Sequence, residues 1–140
     1  MRQWTESPDY RITGSPFMKV HHYRDLNVYQ LAVELQQRIF ELTRNFPVEE
    51  RYSLTDQVRR SSRAVGANIA EAWRKRSYPA HFVSKLSDSD AENSETEHWI
   101  FTAFLCGYLD QSVRVELDQK SEAIGRMIGS MIREADHWCA

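Results

Sequence analysis

Residues 54–76 read LTDQVRRSSRAVGANIAEAWRKR, and the order of side chains in this stretch decides the fold class. Leu54, Val58, Ser61, Val65, Ile69 and Ala72 recur at intervals of three and four, the spacing that places residues on one face of an α-helix. A strand would require alternation at every second position. Ser53 with Asp56 resembles a capping box, with Asp in place of the usual Glu. Ser62, Gly66 and Ala70 form a second stripe of small residues, each four apart. Gly66 costs about 1 kcal/mol in helix propensity, so the stripe reads as a surface that another helix backbone approaches closely.

Three further helices are predicted around this one. The first runs from about Asp25, a candidate N-cap, to Asn45, and Pro47 ends it. Its apolar face is read as Leu26, Tyr29, Val33, Gln36, Phe40 and Thr43, widened by Leu35, Ile39 and Leu42. The third runs from about Tyr78 to Leu109, with Ser77 as cap, Pro79 in the first turn and Gly107 in the last. Phe82, Leu86, Ile100, Phe104 and Tyr108 mark its face. The fourth follows Asp110 and reaches about Trp138, with Leu117, Ile124, Met127, Ile128, Met131, Ile132 and Ala135 inward. Gly125 and Gly129 make a second close-packing pair. Amphipathic helices with short connections predict an all-α, antiparallel up-down-up-down four-helix bundle over residues 23–140. Residues 1–22, which hold Pro8, Gly14 and Pro16 and show no periodicity, read as a flexible tail.

Polar residues interrupt the third helix. Ser87 to Glu97 contains five carboxylates and no large apolar side chain. Continuing the stripe from Leu86 toward Ile100 turns Ser89 or Asp90, Asn93, and Thr96 or Glu97 inward. Asn68 and Glu71 flank the face of the second helix, so the two helices are expected to share a polar layer. Glu95 and His98 also form one Glu-x-x-His pattern. A di-metal bundle needs that pattern from two helices, and no second copy is present. The expectation is no metal, no cofactor and no catalytic residue; the alternative is a carboxylate-rich bundle acting as a metal-binding protein or enzyme.

Basic residues concentrate on the second helix: Arg59, Arg60 and Arg63 within its middle turns, and Arg74, Lys75 and Arg76 at its end. The first three form a ridge opposite the apolar stripe, and all six are candidate nucleic-acid contacts through phosphate. The competing reading pairs them with the acidic third helix. The formal charge of −2 excludes a generally basic coat protein, while leaving a local patch open. With 41% hydrophobic and 27% charged residues the chain is of ordinary globular composition. Cys106 and Cys139 have no metal-ligand spacing, and Cys106, in an apolar run, is expected to be buried. His21-His22, His81 and His137 likewise lack metal spacing. No stretch approaches the ~20 apolar residues that cross a bilayer, and the polar N-terminus lacks a signal core, so a soluble cytoplasmic protein with no membrane partner is expected.

Three stretches together carry a family resemblance: YRDLNVYQLA at 23–32 with FPVEERYSL at 46–54; QVRRSS at 57–62 leading to ANIAEA at 67–72; and SETEHWI at 94–100 ending in CGYL at 106–109. The chain resembles the four-helix bundle family also called the 23S rRNA intervening-sequence proteins. Ala72 departs from the glycine usual after Asn-Ile-Ala-Glu. The resemblance implies a short bacterial cytosolic protein without an assigned activity, self-associating as a cyclic homopentamer. It extends to the accessory variability determinant proteins of diversity-generating retroelements, which bind nucleic acid and a reverse transcriptase. Arg59 and Arg60 match that branch's basic surface only loosely, while Asn68, Glu71 and Glu95 match the family's recurrent polar positions, which implies a structural polar layer that includes them. The expected function is therefore non-enzymatic: a homo-oligomeric bundle with an RNA- or DNA-binding accessory or assembly role and no small-molecule substrate.

Overall fold

The computed structural model describes residues 20–140, and among these every regular element is helical. Four helices form the body: α1 (Asn27–Thr43), α2 (Asp56–Arg74), α3 (Pro79–Leu105) and α4 (Gln111–Arg133), followed by a short α5 (Ala135–Cys139). Each long helix packs on its sequence neighbours and α1 closes against α4, giving the expected four-helix bundle. The tail expected over residues 1–22 lies outside the described residues as far as residue 19. His21 and His22 donate their backbone N–H groups to Asp25 Oδ2, while His22 Nδ1 accepts the Arg24 N–H. Asp25 is thus the return arm of a cap on the turn Tyr23–Asp25, not the N-cap of α1, which starts after Leu26.

The α2 stripe is buried as expected from Leu54 to Ala72. The α1 stripe is buried only in part, at Leu26, Thr43 and the widening residues Leu35 and Ile39. Val28, Leu31, Ala32, Leu35 and Ile39 are buried, whereas Val33, Gln36 and Phe40 are only half-buried. Apolar residues on more than one side of α1 left its phase ambiguous, and the contacts with α2 and α4 decide it. The capping box at Ser53 and Asp56 does not form. A π-turn over Arg51–Thr55 runs directly into α2, and Ser53 Oγ instead donates to Glu50 Oε1 at 2.7 Å.

At 27 residues α3 is about 40 Å long, and both of its ends follow from local chemistry. Tyr78 precedes Pro79 at the first helical position, so the N-cap is Tyr78 rather than Ser77. At the other end Gly107 has φ +82°, outside the helix and not in its last turn. Tyr108 N–H bonds to Ala103 O at 2.9 Å and Gly107 N–H to Phe104 O at 3.0 Å, the two reversed bonds of a Schellman stop. Asp110 then caps α4 by accepting the Val113 N–H at 2.8 Å, which holds its carboxyl below the usual range. The fourth helix breaks at Glu134 and does not run on to Trp138.

Two packing expectations change. Cys106 is exposed, because it occupies the C-cap of α3, where the chain already turns away from the core. At Gly66 and Gly125 the nearest neighbour is a facing side chain and not a helix backbone. A Cβ on Gly66 would meet the Tyr29 ring at 3.4 Å, and one on Gly125 would meet Asn93 Nδ2 at 3.7 Å and Asp90 Oδ1 at 3.9 Å. Side chains of the same subunit fill these grooves.

Candidate functional site

The polar stretch of α3 turns inward through Ser89, Asn93 and Thr96, all buried. Ser89 Oγ donates to Val65 O at 2.8 Å, Thr96 Oγ1 and Ser61 Oγ share a hydrogen bond of 2.9 Å, and Asn93 Nδ2 donates to Ser121 O at 2.9 Å. Ser121 Oγ, also buried, lies 3.0 Å from Asn93 Oδ1 and 2.8 Å from Glu97 Oε1. The layer therefore stitches α3 to both α2 and α4. Each satisfied bond contributes about 0.5–1.5 kcal/mol net, and a mispaired register would leave several groups buried without partners.

Its membership differs from the expected one. Asn68 is half-buried and returns its amide to Ala64 O of its own helix at 2.9 Å. Glu71 is exposed and pairs with Lys85 Nζ at 3.3 Å. Glu95 is half-buried on the outer edge, where it accepts from Trp99 Nε1 at 3.0 Å and from Arg60. The Trp99 bond first, and then Arg60, holds the Glu95 carboxyl below the usual range. A carboxylate engaged in this way is poorly placed as a metal ligand. Among the described residues no group of three or more His, Cys, Asp or Glu side chains could hold an ion.

The basic ridge of α2 is divided between two neighbours. Arg60 faces α3 and pairs with Glu92 at 3.3 Å as well as with Glu95. Arg59 faces α1, donating from Nε to Thr43 Oγ1 at 2.8 Å with its guanidinium 4.9 Å from the Phe40 ring centroid. Arg63 also lies over Phe40, at 5.8 Å. Successive helical positions are about 100° apart, so adjacent arginines reach different partners. Arg63, Arg74, Lys75 and Arg76 form no ion pair among the described residues.

The end of the bundle where α2 stops gathers residues that are far apart in the chain. His21, His22 and Tyr23, from the turn that precedes α1, line one cleft with Trp73, Arg74 and Arg76. Arg76 Nε donates to Trp73 O at 2.8 Å and its guanidinium lies 3.6 Å from the Trp73 ring centroid. The histidine pair and the arginines are each visible in the sequence, but their meeting depends on the antiparallel return of α2 to the start of α1.

The opposite end exposes several large apolar side chains among charged ones. Val48 and Tyr52 in the α1–α2 link, Phe101 and Leu105 in the last turns of α3, and Val115 near the start of α4 are exposed. Tyr108 ties the two links together, donating to Glu50 Oε2 at 2.8 Å with its ring 5.4 Å from that of Phe46. Sequence reading missed this surface, because Phe101 and Leu105 continue the hydrophobic end of α3 and only the packing shows which of those side chains stay outside.

Comparisons with known proteins agree with the geometry. The model of the 23S rRNA-intervening sequence protein family matches residues 24–130. A crystal structure of a protein of unknown function from the S23 ribosomal protein family of Bacteroides thetaiotaomicron is similar, with 28% identity and a TM-score of 0.69 over 76% of this chain and 95% of that one. No curated protein matches the chain.

Proposed function

Because the chain belongs to the 23S rRNA-intervening sequence protein family, we propose that it is a non-enzymatic bundle that self-associates in the cytoplasm as a cyclic homo-oligomer. The observation that carries this reading is the apolar end. Five of the six large exposed hydrophobics among the described residues, Val48, Tyr52, Phe101, Leu105 and Val115, lie in the links and terminal turns at that end. Exposed apolar residues gathered in one region mark contact surfaces, whereas scattered ones need no explanation. Gly66 and Gly125 no longer support self-association, since Tyr29, Asn93 and Asp90 of the same subunit lie against them. A ring of five copies is the number that the family resemblance supplies. Light scattering tests the reading: wild type should have a multiple of the subunit mass, and Phe101→Glu/Leu105→Glu should reduce it. A wild-type monomer at micromolar concentration would remove the proposal.

A second reading concerns nucleic acid. Arg60 and Arg59 are engaged within the subunit, so the contact with a polyanion moves to Arg63, Arg74, Lys75 and Arg76, which have no anionic partner among the described residues. Repetition around a ring would multiply weak phosphate contacts. Binding should fall steeply between about 50 and 200 mM salt through counterion release. An Arg63→Glu/Arg74→Glu/Lys75→Glu variant should lose it in a gel-shift titration, and equal affinity for both proteins would end this reading.

A further inference from the structure

The cleft between the pre-α1 turn and the end of α2 has a volume of about 710 Å³, within the roughly 300–1,000 Å³ of small-ligand sites. We infer that it is a binding site for a nucleotide phosphate, carried by a free mononucleotide or by the phosphorylated end of a strand. The inference rests on the basic end of the bundle being the surface that meets polyanions, and is independent of self-association.

Three features of the cleft support it. Arg76 is preorganised: the bond from Nε to Trp73 O and the stacking at 3.6 Å on the Trp73 ring fix its plane and leave the terminal amino groups as donors. A planar guanidinium held in place suits two-point contact with phosphate. Arg74 is exposed beside it and has no ion pair among the described residues. On the opposite wall, His22 Nδ1 accepts the Arg24 N–H at 3.1 Å, so the neutral ring carries its hydrogen on Nε2 and offers a donor. The His22 and Tyr23 rings pack together at 4.2 Å, which gives that wall an aromatic surface beside the donors.

The opposing charges lie around the cleft and not in its lining. As a helix C-terminus, the end of α2 carries about half a negative charge. Part of it is covered, because Lys75 N–H bonds to Ala72 O at 3.0 Å and to Glu71 O at 3.1 Å, and Arg76 Nε takes Trp73 O. The nearby carboxylate of Asp25 is occupied by the backbone N–H groups of His21 and His22. Asp136 of α5 acts on Cys139 together with Arg76 and is a further carboxylate at this end, whereas the two guanidinium charges line the cleft itself. Trp73 itself is buried beneath Arg76 and touches Trp138 edge-on at 6.1 Å, so the ligand meets the arginine plane and not the indole face.

The experiment is a calorimetric and competition titration of the full chain at low salt. The probes are adenosine monophosphate, adenosine, and one labelled single-stranded oligonucleotide with either a 5′-phosphate or a 5′-hydroxyl. Adenosine monophosphate and the phosphorylated strand should bind and compete, and adenosine should bind at least tenfold more weakly. Arg74→Gln, at an exposed position, should weaken binding about tenfold without changing the melting temperature. Arg76→Lys, which keeps the charge and loses the planar fork, should also weaken it severalfold. Arg44→Gln, at the exposed C-cap of α1 on the opposite end of the bundle, should leave mononucleotide binding unchanged. Equal binding of adenosine and its monophosphate, or an Arg74→Gln protein that binds mononucleotide as wild type does, would overturn the inference. Strand binding that ignores the terminal phosphate and is not displaced by the mononucleotide would also overturn it, while leaving the polyanion surface standing. No binding of any phosphorylated probe would remove both.

Discussion

Thr96 Oγ1 on α3 and Ser61 Oγ on α2 share a 2.9 Å hydrogen bond in the fully buried interface between these helices. Thr96 also reaches Glu92 O in its own helix at 2.8 Å, while among the described residues the only other hydrogen bond of the Ser61 side chain is a long 3.4 Å one to Val58 O. The two hydroxyls therefore depend on each other unequally. Thr96→Val should cost about 1–3 kcal/mol, because it strands the Ser61 hydroxyl. The Ser61→Ala/Thr96→Val double variant should cost less than the sum of the singles, since no polar group is then left alone. Urea unfolding of all four proteins checks this, and strict additivity would contradict it.

The other arm of the polar layer orders two asparagines. Asn93 is buried and donates across to Ser121 O, whereas Asn68 is half-buried and returns to its own helix. Asn93→Leu should destabilise by about 1–3 kcal/mol, because it removes both buried bonds to Ser121 and leaves the Ser121 hydroxyl only Glu97. Asn68→Leu should cost less than 1 kcal/mol, because its carbonyl acceptor Ala64 O already belongs to the helical ladder. Melting curves for the two variants should therefore separate clearly, with Asn93→Leu the lower.

Gly66 offers a gain in stability. The nearest neighbours of an added Cβ are Tyr29 ring carbons at 3.4 and 3.8 Å, ordinary contact distances. Gly66→Ala should raise stability by up to about 1 kcal/mol through helix propensity. Gly66→Leu should lower it by about 1–3 kcal/mol through overpacking against Tyr29. A thermal melt distinguishes the signs, and a destabilised Gly66→Ala would show that something other than Tyr29 packs on this glycine.

The link between the two loops at the apolar end should be visible in titration. Tyr108 donates to Glu50, which pushes its phenol up to about 12. Glu50 is held below the usual carboxylate range, first by Ser53 and then by Tyr108. For an acid whose folded value is raised, the stabilisation is complete below its ordinary value of 10.0 and is lost as pH rises through about 12. For the lowered Glu50 the stabilisation is present above its ordinary value of 4.5 and is lost as pH falls through the depressed folded one. Ultraviolet titration of tyrosinate should therefore show a late component near pH 12 that Tyr108→Phe removes.

Much of the molecule was legible in residue order. The α2 face from Leu54 to Ala72, the inward turn of Ser89, Asn93 and Thr96, and the stop near Gly107 all follow from local rules of period and backbone conformation. These properties belong to a single helix and need no partner to be stated. What a side chain does at the edge of its helix is different. Arg59 and Arg60 are adjacent in sequence, yet one packs on Phe40 of α1 and the other pairs with Glu92 and Glu95 of α3. The phase of α1, the outward position of Glu71 and Cys106, and the filling of Gly66 by Tyr29 were likewise set by neighbouring helices. The cleft is the clearest case. His22 and Arg76 are separated by the whole of α1 and α2, and only the antiparallel packing of those helices brings them to one wall-to-wall site. Local periodicity determines that a helix forms and which side is apolar. The pairing of polar edges depends on distances between helices, which no single segment encodes.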